Sequence, residues 1–141
     1  MVEHMWTVLC SRSLVDIESQ NISLLEVVDE ITLPADAFAN KPTMNLSLQM
    51  ELVTCWRRSN LSQPGKTRAK MTLMDPKGKT IEEQAYSVDL SEGNRRRTRI
   101  RIPGLALVGP GTYTFQVELQ SIGNGPWMKV AKLPLDVLLS S

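Results

Sequence analysis

Residues 112–119 alternate in apolar character: Tyr113, Phe115, Val117 and Leu119 share one phase, and Thr112, Thr114, Gln116 and Glu118 the other. Successive side chains of a β-strand point to opposite faces, so this period of two buries one face and wets the other. The pattern recurs along the chain. Over 44–56, Met44, Leu46, Leu48, Met50, Leu52 and Trp56 oppose Asn45, Ser47, Gln49 and Glu51, with Arg57 continuing the polar phase. In 67–73, Ala69, Met71 and Leu73 oppose Arg68, Lys70 and Thr72; in 97–102, Thr98, Ile100 and Ile102 oppose Arg97, Arg99 and Arg101. Half-buried strands repeated in this way must pack sheet against sheet to bury their apolar faces.

Turn chemistry falls at short intervals between them. Asp16 to Asn21, Pro34 to Pro42, Asn60 to Gly65, Ser91 to Asn94, Pro103 to Gly111 and Gly123 to Pro126 read as breaks. Asp75-Pro76-Lys77-Gly78 reads as a tight turn, with proline pre-set in φ and glycine free to take φ > 0. About eight extended segments remain, which predicts an all-β chain. The expected architecture is an immunoglobulin-like or C2-like antiparallel β-sandwich, one domain over 1–141. Residues 22–33 could form an amphipathic helix through Leu24, Val27, Val28 and Ile31, but their β-branched content favours a long strand with a bulge. The expected core comprises Trp6, Leu48, Leu52, Trp56, Leu73, Tyr113, Phe115 and Val117.

A hydrophobic fraction of 42% with 22% charged residues is that of a folded domain. No basic-then-apolar export signal opens the sequence and no run of apolar residues suffices for a membrane helix, so the expected location is the cytoplasm, with no membrane partner. Cys10 and Cys55 are then expected as free thiols. Catalytic patterns are missing. His4, the one histidine, falls at the start of the first strand and reads as a surface or edge residue. There is no nucleophile elbow and no phosphate loop, and Gly104 and Gly109 lie in a hydrophobic stretch suited to capping one end of the fold. The adjacent pairs Asp29-Glu30 and Glu82-Glu83 point to opposite strand faces and cannot share a proton. No metal set or cofactor motif is present. The chain is expected not to be an enzyme.

The concentrated feature is basic. Arg95, Arg97, Arg99 and Arg101 fall on one strand face at about 6–7 Å spacing. Such a row can be a solvated or ion-paired surface, a contact for a protein, or a clamp for phosphates. If this strand turned back onto 112–119, Arg95 would fall near Glu118 and Arg97 near Gln116, giving ordinary cross-strand pairs. Arg57 and Arg58, with Lys66, Arg68 and Lys70, would widen the patch if they shared its sheet. The formal net charge is only +1, which argues against nucleic acid as the partner.

Trp6-Thr7-Val8-Leu9-Cys10, Val15-Asp16, Asn21-Ile22-Ser23-Leu24 and Glu30-Ile31-Thr32-Leu33-Pro34 resemble the opening of a bacterial family of uncharacterised small β-sandwich proteins. Glu51 to Arg58, Leu73 to Lys79, Arg99 to Gly104 and Gly109 to Phe115 are similar to its later blocks. The resemblance implies a cytoplasmic sandwich, favours strand over helix for 22–33, and names no site residue. The expected function is a non-catalytic binding or scaffold module acting through protein contacts. Its candidate surfaces are the arginine face and the loops at 34–42, 60–65 and 103–110, and self-association through a sheet face or edge is also open. The alternative is a binder of small anions, nucleotides or nucleic-acid phosphate.

Overall fold

Asp75 ends one strand and starts the next. Its carboxylate accepts from the amides of Lys77 (2.8 Å) and Lys79 (2.9 Å), its carbonyl accepts from Gly78 N–H (2.9 Å), and Gly78 takes φ +85°. This is the tight turn expected from the sequence, and it closes a hairpin. The computed structural model describes residues 2–62, 65–121 and 123–141; Gln63 and Pro64, in the expected loop at 60–65, lie outside them. The described residues hold strands and no helix, hence none long and apolar enough to cross a membrane.

Eleven strands are present among the described residues: β1 (Val2–Val15), β2 (Ile22–Val27), β3 (Glu30–Leu33), β4 (Met44–Leu46), β5 (Met50–Arg58), β6 (Lys66–Met74), β7 (Thr80–Asp89), β8 (Arg95–Ile102), β9 (Leu105–Leu107), β10 (Gly111–Gln120) and β11 (Trp127–Leu139). They form a four-stranded sheet in the order β2-β1-β5-β8, a five-stranded sheet in the order β3-β11-β10-β6-β7, and a two-stranded ribbon β4-β9. One hydrophobic cluster draws on both larger sheets: Leu9, Leu52, Trp56 and Ile102 from the first, Met71, Tyr113, Phe115 and Leu135 from the second. Leu105 and Leu107 of β9 join it, so the 103–111 stretch does cap the core.

The count exceeds the expected eight because 22–33 divides into β2 and β3, 44–56 divides into β4 and β5, and β9 forms within the expected break at 103–111. The expected continuous strand over 44–56 is broken at 47–49. Met44–Leu46 pairs with Leu105–Leu107, where Gly104 runs so close that a Cβ there would lie 2.9 Å from the Leu46 carbonyl oxygen. Leu48, expected in the core, falls in that break and is 36% exposed. Trp6 is also misplaced by simple alternation. A bulge between His4 and Trp6 shifts the phase, so His4 stands opposite Trp56 while Trp6 stands opposite Cys55 on the other face.

Residues 22–33 are extended, as favoured, but the chain changes sheet within them. Glu26 takes φ +54°, Val28 N–H donates to Leu9 O (2.8 Å), and Asp29 O accepts from Asp136 N–H (3.0 Å). β2 therefore pairs antiparallel with β1, and β3 pairs parallel with β11, which makes the larger sheet mixed rather than purely antiparallel. Cys10 and Cys55 are buried and free. Their register partners, Glu51 and Trp6, place them four residues apart along β5, about 13 Å, well beyond the roughly 7 Å that a disulfide spans.

Candidate functional site

β8 pairs with β5 in the four-stranded sheet and turns its apolar phase to the core. Ile100 and Ile102 are buried, and Thr98 Oγ1 accepts from Trp56 Nε1 (3.0 Å). The opposite phase must then face away from the core. In register, Arg95 stands beside Arg57, Arg97 beside Cys55, Arg99 beside Val53 and Arg101 beside Glu51. One strand further, Glu3, Trp6, Val8 and Cys10 lie opposite those β5 residues. The outer face of this sheet thus gathers Arg57, Arg95, Arg97, Arg99 and Arg101 around two carboxylates, Glu3 and Glu51.

Three expectations about this face need correction. First, β8 does not turn back onto β10. The strand neighbours of β10 are β11 and β6, and Glu118 pairs with Lys70 at 3.8 Å, in the other sheet. Among the described residues, no carboxylate forms an ion pair with any arginine of the row; the ion pairs present belong to Lys70. Second, Arg58 is not on the face. Neighbours on a strand point apart, and its guanidinium donates to the carbonyls of Leu61 (3.1 Å) and Leu90 (3.4 Å), with Gly65 leaving the space it fills. Third, Lys66, Arg68 and Lys70 lie on β6 in the five-stranded sheet, where Lys70 stacks over Trp127 at 4.6 Å. They do not widen the patch.

A feature invisible to strand alternation lies above the row. The β1–β2 hairpin bends back across the outer face: Arg97 donates to the Gln20 carbonyl, Arg99 donates to Ser13 Oγ (3.4 Å), and Ser13 donates to Glu51. Beneath it, Val53, Cys10 and Cys55 are buried although they face away from the main core. The turn itself is stiff. Asp16 Oδ1 accepts from the amides of Glu18 (2.9 Å) and Ser19 (2.8 Å), and those bonds hold its carboxyl below the usual carboxylate range. Between turn and sheet runs an open cleft of about 660 Å³, lined by Trp6, Gln20, Asn21, Arg95, Arg96 and Arg97. Arg95, Arg99 and Arg101 stay exposed; Arg97 is half-buried.

Neither cysteine beside the row is poised as a nucleophile. Burial pushes the Cys55 thiol up, with Arg95 and Arg97 pulling back less strongly; burial and then Glu51 both push Cys10 up. Among the described residues, no group of three or more histidine, cysteine or acidic side chains could hold a metal ion.

His4, expected as a surface or edge residue, is half-buried on a stretch of β1 whose one strand partner among the described residues is β5. Its ring meets the Trp56 ring edge-on (5.7 Å, 76°), and its Nε2 lies 2.7 Å from Thr7 Oγ1, itself 3.0 Å from Thr54 Oγ1. Partial burial lowers its pKa from the ordinary 6.5. The unfolded chain then binds the proton at a higher pH than the folded protein, so stability falls as pH drops through the unfolded value. The melting temperature is expected to decrease between about pH 7.5 and pH 5.5, and His4→Gln should flatten that decrease. Asp16 and Asp89, both held below the ordinary 3.8, lose their contribution only in stronger acid, outside this window. An unchanged slope in the His4 variant would assign the effect to another group.

No protein-family model matches the chain, and no curated protein matches it.

Proposed function

We propose that the chain is an immunoglobulin-like β-sandwich serving as a non-catalytic, cytoplasmic protein-binding module through the arginine face of its four-stranded sheet. The strand order supports the fold. Setting aside β2 and the β4-β9 ribbon, eight strands remain, with β1-β5-β8 on one side and β3-β11-β10-β6-β7 on the other. The parallel contact of β3 with β11, made by a chain that switches sheets, suits the edge of such a fold. Tyr113, near the start of β10, bonds back to Gly109 in the manner of a tyrosine corner. The resemblance to a bacterial sandwich family agrees with this fold and supplies no activity.

The observation that carries the binding role is unmatched charge. Five arginines share one face with two carboxylates, and none of the arginines is ion-paired among the described residues. Hydrogen exchange on the chain with its captured partner should slow amides of β8 and of the 13–21 turn region. Slowing confined to the loops at 34–42 and 103–110 would move the contact to the ends of the fold.

A second reading, a small anionic ligand, is favoured by the cleft, where Arg95 and Arg97 converge with a half-buried Trp6 and Asn21. Titration with a nucleoside triphosphate separates the two. Saturable binding lost on Arg95→Gln would favour the ligand. Nucleic acid is disfavoured by the net charge of +1, and any duplex binding should fade steeply as salt rises.

A further inference from the structure

β8 is an edge strand: among the described residues its one strand neighbour is β5, and no strand pairs with its far side across Arg95–Ile102. An exposed edge of eight residues is a template for another extended chain. The charge on this edge selects which chain. Arg95, Arg97, Arg99 and Arg101 recur on one face every two residues, about 6.6 Å apart, and an added strand carries its own same-face side chains at that interval. Directly opposed side chains across a pair stand about 5 Å apart at Cβ, so like charges repel and opposite charges pair. A second copy of β8 would set arginine against arginine and is rejected. Within the sheet, the row meets Arg57, Cys55, Val53 and Glu51, one carboxylate for four guanidinium groups.

We propose that a partner protein adds an extended acidic segment to the free edge of β8, as a fifth strand of this sheet. Its acids fall at every second residue and pair with the arginine row. Its alternate residues lie alongside Arg96, Thr98, Ile100 and Ile102, so apolar or β-branched side chains fit beside the last three. Main-chain bonds to β8 supply register, and the arginines supply selectivity. The hairpin leaves this open: Arg97 and Arg99 each spend one donor on Gln20 or Ser13 and keep others, and Arg95 and Arg101 remain exposed.

This inference rests on the reading of the arginine face as a protein contact, and the test separates the two. A fluorescein-labelled ten-residue peptide of alternating glutamate and valine is titrated with the full chain, followed by anisotropy. Two further peptides carry backbone N-methyl groups, one at the glutamates and one at the valines, with charge unchanged. In a strand, alternate amides point to the same edge, so one methylated set should weaken binding about tenfold or more and the other should bind much as the parent does. A lysine-for-glutamate peptide should not bind, and R95Q/R99Q/R101Q should lose the parent peptide. If both methylated peptides bind like the parent while the arginine variant does not, strand addition is overturned and the charged contact stands. Absence of binding by the parent peptide also overturns strand addition. Undiminished binding to the arginine variant overturns both readings.

Discussion

Phe115→Ala is expected to destabilise the protein by about 3–5 kcal/mol, the range for emptying a buried aromatic site. Phe115 is fully buried in the middle of the central strand β10, flanked in register by Leu73 of β6 and Leu133 of β11. Its neighbours are held by two ladders and cannot collapse into the space it would leave. A fall in the denaturant midpoint without change of slope would report this loss. A loss under about 1 kcal/mol would contradict the placement of Phe115 at the centre of the core.

The second large effect lies in one hydroxyl. Tyr113 Oη accepts from Val108 N–H (2.8 Å) and donates to Gly109 O (2.7 Å), while its ring is wholly buried. It therefore fastens the stretch that includes β9 and caps the core. The strand resumes at Gly111 with φ +139°, where a Cβ would lie 2.8 Å from the Pro76 ring. Tyr113→Phe preserves the packing and removes both bonds, leaving an amide and a carbonyl without their partner. The expected cost is about 1–3 kcal/mol, with amide exchange at Val108 quickened well beyond the global change. Unchanged exchange at Val108 would show that another group holds the loop.

Strand content and the inner faces of β5, β6, β8 and β10 were legible because each alternates within itself. Ile100 and Ile102 announce the core side of β8, and so place the arginines outside, without knowledge of any neighbour. What was not legible is which strands meet. Pairing of β8 with β5 rather than β10 depends on contacts between residues 38 to 52 apart in the chain, and Arg95 and Glu118 carry no local mark of it. The bulge near His4 moved Trp6 to the outer face and set a half-buried His4 against Trp56. Neither residue differs in kind from what simple alternation would accept. Leu48 misled for a related reason: 44–56 has one unbroken pattern, yet the Gly104 approach at Leu46 draws its first part into a separate ribbon. The hairpin over the arginine face was the largest omission. Its turn chemistry at 16–21 is plain, but its landing on Arg97 and Arg99 is a long-range event, made through a Gln20 carbonyl and a Ser13 hydroxyl that any sequence could offer.

The arginine face is the centre of the account, and one paired measurement on R95Q/R99Q/R101Q tests it most directly. These three side chains are exposed and make no ion pair among the described residues, and glutamine keeps most of each aliphatic stem. Denaturant melts should therefore place the variant within about 1 kcal/mol of the parent chain, since exposed charges contribute little to folding. Capture of the partner from the source cell should nonetheless be lost. A variant that folds as stably as the parent and still captures the same partner would contradict the claim that this face is the binding surface.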